Sequence, residues 1–203
     1  MTVMYSPLSR LDRTRLAVVA EPAGDLTTWS NWCQKAFSDG AGLILVRDPI
    51  LDVNDLLKAG RAVAANGLVG VVEPIDPGAR SDVIHLEAPA NAVNWPNRLV
   101  GCQVADLGQA GEALSAGCQY LVVDHADEAL VVAMTQFAEE HDDLIWFVAG
   151  CRTLAELESA TARGARRAWV AAGSVVEIWS THLRQVWRSD PAMSSLIRMR
   201  RSL

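Results

Sequence analysis

One local signal occurs three times in this chain: helix-ending residues, a glycine, and then an apolar strand-like run. It appears as Ser38-Asp39-Gly40-Ala41 before Leu43, as Ser115-Ala116-Gly117-Cys118 before Tyr120, and as Ala162-Arg163-Gly164-Ala165 before Ala168. Glycine just past the last turn of a helix accepts a left-handed backbone that a Cβ resists, so each copy reads as a helix stop followed by a strand start. The three glycines are 77 and 47 positions apart, about three and two repeats of a roughly 25-residue strand–helix unit. Strands joined through helices in this way are parallel, which confines the chain to helix-flanked parallel sheets.

With that period, apolar runs fall at 16–20, 43–46, 68–72, 82–86, 99–104, 120–123, 144–149 and 168–172. Between them, helical spacing covers 26–37, 53–65, 107–116, 126–140 and 174–188, and Thr153 with Glu156 forms a capping-box pattern that opens a further helix. The segment Pro74-Ile75-Asp76-Pro77-Gly78 leaves little room for a helix, so the third and fourth units are abbreviated. The strand runs are continuously apolar rather than alternating, as expected when both faces are covered. Eight such units predict a single-domain (β/α)8 TIM barrel over residues 1–190, followed by a basic C-terminal tail at 191–203. An open doubly wound sheet usually has fewer strands and one dominant glycine-rich loop, and fits less well. The tail sets Arg198, Arg200 and Arg201 beside Leu196, Ile197 and Met199, and reads either as a short amphipathic helix facing an anionic partner or as a solvated end.

Composition excludes several function classes. Half of the 203 residues are apolar and the formal charge is -6, so the chain can bury one large core and lacks the clustered cationic charge of a nucleic-acid binder. No run approaches a membrane span and residues 1–15 carry no signal-peptide core, which predicts a cytoplasmic protein without a membrane partner. Cys33, Cys102, Cys118 and Cys151 show no Cys-x-x-Cys spacing and read as buried thiols rather than a zinc site or disulfide framework.

In barrels of this kind the site lies at the carboxyl ends of the strands, and the loops after strands seven and eight frequently hold phosphate. Here those loops contain Gly150 and Gly173-Ser174, where backbone N–H groups and a helix N-terminus suit a small phosphorylated ligand. The competing reading is that these glycines only end strands and let helices pack. The other strand ends present Glu21, Arg47, Asp48, Glu73, Glu87, Asp106, Asp124, His125 and Arg152. The carboxylates either solvate the loops or, where two converge, hold Mg²⁺ or a cationic ring. His125 directly follows a strand and titrates in the range that suits proton transfer, so it is the acid/base candidate against the alternative of an exposed first-turn histidine. His85 lies within a strand and reads as a core residue; Cys151 lacks an evident base and reads as an idle thiol. Trp146 and Trp169 read as barrel fillers or a wall against an aromatic ligand. Trp29, Trp32, Trp179 and Trp187 sit on the first and last major helices, where they either pack together or supply a homodimer surface.

The ordered segments resemble the thiamine phosphate synthase family, including its thiazole tautomerase (TenI) relatives, over nearly the whole chain. The resemblance rests on Gly40-Ala41-Gly42-Leu43-Ile44-Leu45-Val46-Arg47-Asp48, on Asp82-Val83-Ile84-His85-Leu86, on Val100-Gly101-Cys102 through Glu112-Ala113, on Ala116-Gly117-Cys118-Gln119-Tyr120 and on Phe147-Val148-Ala149-Gly150. It implies a barrel acting on phosphorylated thiazole, with Arg47 and the phosphate-binding strand end at Gly150 as ligand-binding residues, beside Gly173 and Ser174 read above from the loop after strand eight. The synthases couple a pyrimidine diphosphate to thiazole phosphate with Mg²⁺. Against that pattern, Leu45 replaces Gln, Pro49 replaces Lys, Glu73-Pro74 replaces Asn-Asp, Glu87-Ala88-Pro89 replaces Gly-Gln-Glu-Asp, and Gln103 replaces Ser. The lysine-bearing loop after strand six has no counterpart. Lost lysines remove stabilisation of a diphosphate leaving group, while Glu73 and Glu87 take the place of the family's Mg²⁺-binding acids. The tautomerase relatives carry a Gly-His pair where this chain has Asp124-His125, which implies His125 as their acid/base. The third alternative is a barrel that binds a phosphorylated ligand or a protein without catalysis.

Overall fold

The computed structural model describes residues 6–73, 79–89, 95, 98–141 and 144–190. Among the described residues, strands and helices follow in the order α1 (Pro7–Asp12), β1 (Leu16–Ala20), α2 (Leu26–Asp39), β2 (Leu43–Val46), α3 (Val53–Val63), β3 (Leu68–Val72), β4 (Val83–Leu86), β5 (Leu99–Gln103), α4 (Leu107–Ser115), β6 (Tyr120–Asp124), α5 (Glu128–Glu139), β7 (Ile145–Ala149), α6 (Leu154–Ala162), β8 (Ala168–Ala171) and α7 (Val176–Ser189). Each strand pairs in parallel with the next and β8 closes on β1, giving a (β/α)8 barrel. Among the described residues no α-helix joins β3 to β4 or β4 to β5, in keeping with the expected shortening of those units. The tail at 191–203 lies outside the described residues.

Successive strand side chains point to opposite faces, and the buried residues divide accordingly. Ala17, Leu43, Leu45, Leu68, Val72, Val83, Leu99, Tyr120, Val122, Phe147 and Trp169 fill the barrel. Leu16, Val18, Ile44, Val46, Ile84, Leu121, Val123, Trp146 and Val148 pack outward with the helices. Trp146 and Trp169 thus belong to different layers, because their odd–even positions on neighbouring strands set opposite directions. Burying an aliphatic side chain of this size contributes about 1.5–3 kcal/mol, so both layers hold the barrel together.

The repeated glycine signal has the expected geometry, with φ of +110° at Gly40, +93° at Gly117 and +113° at Gly164. Helix starts are equally local. Ser6, Asp25, Asp52, Asp106, Asp127 and Thr153 each accept a backbone N–H from the first turn that follows, and Thr153 with Glu156 completes the capping box. The short helix α1 is not anticipated by the repeat; its signal is Ser6 as cap with Pro7 at the first helical position, and Leu11 carries it into the barrel core. Trp29 and Trp32 stack at 5.2 Å, and the Trp29 indole donates to the Leu56 carbonyl at 2.9 Å. Trp29, Trp179 and Trp187 are buried within the chain, so the tryptophans pack rather than form an open surface. Among the described residues no helix is long and apolar enough to cross a membrane.

Candidate functional site

The inward positions of the strands continue past the core into charged residues. Two residues beyond Leu45 comes Arg47, beyond His85 comes Glu87, and beyond Val122 comes Asp124. The 3.6-free, two-residue period of a strand therefore delivers these side chains to the barrel mouth. Two cavities open there. One of about 570 Å³ is lined by Glu21, Arg47, Gln103, Asp124, Gly150, Cys151 and Arg152, with Val19, Ala149 and Trp169 beneath them. A second, of about 330 Å³, is lined by Asp48, Glu73 and Glu87 and shares Glu21 and Arg47 with the first. The mouth is one groove with two lobes, the first holding two arginines and the second mostly carboxylates.

The acidic lobe carries backbone strain. Glu73 has φ of +42°, a left-handed conformation uncommon for side chains other than glycine, asparagine or aspartate, while Asp48 at +44° is of a type that adopts it more readily. The Glu73 carboxylate accepts the Glu87 backbone N–H, and Glu87 Oε1 lies 3.7 Å from the Arg47 guanidinium. Among the described residues, no three His, Cys, Asp or Glu side chains gather as a metal-binding group. In this arrangement Glu73 is engaged by a backbone amide and Glu87 stands beside a cation.

At the other lobe, Gly150 has φ of +83°, and a Cβ there would stand 2.8 Å from Asp124 Oδ1 and 2.9 Å from His125 Nδ1. Only glycine allows β7 to end so close to that pair. Asp124 faces the mouth, and its Oδ1 accepts the Ala126 N–H at 2.9 Å. His125, next in sequence, turns to the side: its Nδ1 lies 3.3 Å from Asp124 and its Nε2 3.9 Å from Glu156. The imidazole is not among the groups lining the mouth cavity, because alternation gives the inward position to Asp124.

The helix start after β7 is already engaged. Glu156 accepts the N–H groups of Arg152 and Thr153, and those two bonds, Arg152's first, hold its carboxyl below the ordinary glutamate range. Among the described residues that line this cavity, the cationic groups are the guanidiniums of Arg152 and Arg47, the latter also 3.7 Å from Glu87. After β8, Ser174 N–H donates to the Ala171 carbonyl at 3.1 Å, and α7 begins two residues beyond Ser174. Ala171 and Ala172 line the mouth, whereas Gly173 and Ser174 do not. Val175 stands at the N-cap of α7 and supplies no side-chain hydrogen bond, so this first turn lacks the cap that precedes each of the other helices. Burial, then the charge of Glu156, pushes the Cys151 thiol up to about 12, which leaves it protonated and unreactive at neutral pH.

Strand-end counting placed Arg152 and Glu21 near the mouth without distinguishing them from other strand ends. Trp169 as the floor and Arg47 as the wall shared by both lobes emerge only when the ring closes.

Fold and site together define a (β/α)8 barrel with a charged, two-lobed mouth at the carboxyl ends of its strands. Solved structures share this architecture. A thiamine phosphate pyrophosphorylase from Pyrococcus furiosus matches with a TM-score of 0.64 at 16% identity, over 87% of this chain and 96% of that one. A 2-keto-3-deoxy-6-phospho-gluconate aldolase from Zymomonas mobilis matches with a TM-score of 0.61 at 12% identity, over 87% of this chain and 95% of that one. A cube-shaped protein cage designed by fusing symmetric oligomeric domains matches with a TM-score of 0.67 at 15% identity, over 94% and 77% of the two chains. At such identities the likeness establishes the fold. No protein-family model matches the sequence, and no curated protein matches it.

Proposed function

We propose that the barrel mouth binds a small phosphorylated ligand of the thiazole phosphate kind. The observation that carries this reading is the pair Arg47 and Arg152, brought from the ends of β2 and β7 to one cavity floored by Trp169. Guanidinium groups match phosphate geometry through paired N–H donors, an indole face suits a flat ring, and the uncapped first turn of α7 follows the adjoining β8. In this reading the phosphate lies toward Arg152 and α7, the ring crosses Trp169, and a polar or cationic substituent enters the lobe of Glu21, Asp48 and Glu87.

The residues at hand favour binding over diphosphate chemistry. The chain has two lysines, Lys35 and Lys58; both lie on helices, and Lys35 is paired with Asp39 at 2.8 Å. Neither lines the mouth, so neither a lysine clamp on a diphosphate nor a lysine Schiff base of the aldolase type is available. Coupling of a pyrimidine diphosphate to thiazole phosphate is accordingly expected to be weak. A second reading, proton transfer on the bound ring, is favoured by the contact of Asp124 with His125 beside Gly150. Asp124 would face the ligand, with His125 acting behind it.

Calorimetric titration with thiazole phosphate and with its dephosphorylated alcohol tests the reading. The phosphate ester should bind at least about tenfold more tightly, equivalent to about 1.4 kcal/mol, and Arg152→Ala should erase that advantage. Equal affinity for both compounds, or an undiminished preference in Arg152→Ala, would remove the basis for the proposal.

A further inference from the structure

The lobe of the mouth that holds Arg47 and Arg152 also holds two carboxylates, Glu21 and Asp124. Asp124 is the one fixed from several directions. Its Oδ1 accepts the Ala126 N–H at 2.9 Å and lies 3.3 Å from His125 Nδ1, and the imidazole behind it has its Nε2 3.9 Å from Glu156 on α6. From the β7 side Gly150 leaves the carboxylate its place, since a Cβ there would stand 2.8 Å from the same oxygen. The second oxygen, Oδ2, accepts no hydrogen bond from the described residues, and the side chain is 55% exposed at the cavity.

Turn formation does not account for the charge. The bond from Ala126 N–H uses one carboxylate oxygen, and an asparagine would serve it equally. The negative charge is instead added to a corner that is already acidic: after burial, Glu156 and, more weakly, Asp124 raise the Cys151 thiol. The ligand's own charge points the same way. Two guanidiniums face two carboxylates in this lobe before anything binds, and Arg47 also lies 3.7 Å from Glu87. A phosphate monoester brings about 1.5–2 further negative charges at neutral pH, so a guest with a neutral ring leaves the lobe with surplus negative charge. A cationic nitrogen on the same guest restores the balance. It also meets an oxygen that is already oriented, in a charge-assisted contact roughly twice as strong as a neutral hydrogen bond.

We propose that Asp124 is the specificity-determining residue of the mouth and selects phosphorylated ligands whose flat ring carries a cationic nitrogen over neutral rings of the same size, a role that rests on the mouth being a phosphate site. The phosphate lies toward Arg152 and α7, on the β8 side of β7. The ring crosses Trp169, and its nitrogen lies toward Asp124, on the β6 side. His125 stands behind Oδ1, which leaves Oδ2 to the ligand.

Calorimetric titration of the full chain, near neutral pH, with pyridoxamine phosphate and pyridoxine phosphate tests the assignment, because the two probes differ only in an aminomethyl against a hydroxymethyl group. The amine should bind at least about tenfold more tightly. Asp124→Asn keeps an acceptor for the Ala126 N–H and should bring the two affinities within about twofold by weakening the amine alone. Arg152→Ala should weaken both probes and leave their ratio in place, which separates the nitrogen contact from the phosphate contact. Equal affinities in the natural chain, or an undiminished amine preference in Asp124→Asn, would overturn the role of Asp124 and leave the phosphate reading intact. Binding of neither probe up to about 10 mM would remove both.

Discussion

His85 gives the barrel a defined sensitivity to acid. Its side chain lies on β4 inside the barrel, 2% exposed, with its ring centroid 4.3 Å from that of Trp169 and its Nδ1 3.3 Å from the Tyr120 hydroxyl. Desolvation, and secondarily the positive charge of Arg47 above it, push the imidazole down from an ordinary 6.5 to about 3. The unfolded chain therefore takes up a proton near pH 6.5, which the folded chain accepts only near pH 3. Between those values the unfolded state holds the extra proton, so stability is intact above about pH 6.5 and is lost as pH falls toward about 3, at about 1.4 kcal/mol per unit. From pH 7 to pH 5 the loss due to His85 amounts to about 2 kcal/mol, a large share of the 5–15 kcal/mol typical of a domain. Urea unfolding followed by tryptophan fluorescence at both pH values, on the natural chain and on His85→Gln, isolates it. Other titrating groups are common to both proteins and cancel, so the natural chain should lose about 2 kcal/mol more than the variant. Equal losses would show that His85 takes up its proton in the folded barrel, and the burial argument would fail.

Two further substitutions probe close approach and backbone strain. A Cβ on Gly101 would fall 2.3 Å from the ring of Tyr120, which is fully buried, so Gly101→Ala should cost about 3 kcal/mol or more, read as a lower urea midpoint. Ala65 occupies φ of +47° past the end of α3, and Ala65→Gly should raise stability by about 0.5–1 kcal/mol, seen as a small rise in Tm; an unchanged or lower Tm would mean that the local strain is released elsewhere.

Much of this protein is written locally. The helix stops at Gly40, Gly117 and Gly164, the capping box at Thr153 and Glu156, and the eight apolar runs each depend on residues within one turn or one strand. Local backbone preferences and a repeating polarity pattern therefore suffice to identify a (β/α)8 barrel. The direction of every strand residue also follows from alternation once one inward residue is known, which is why Arg47 and Asp124 meet at the mouth while His125 turns aside. Closure of the ring decided the rest. Only the pairing of β8 with β1 brings Trp169 of β8 into the same cavity as Arg47 from the end of β2. Those neighbours are far apart in the chain, so no short-range pattern marks them. The position of Glu156 at the start of α6 is local in origin, yet its effect on the site, filling the N–H groups that an anion would otherwise use, becomes visible only beside the completed mouth. Sequence thus determined which elements form and which way their residues face, because those depend on near neighbours; tertiary structure decided which charges share a cavity, because that depends on where eight separate strand ends come together.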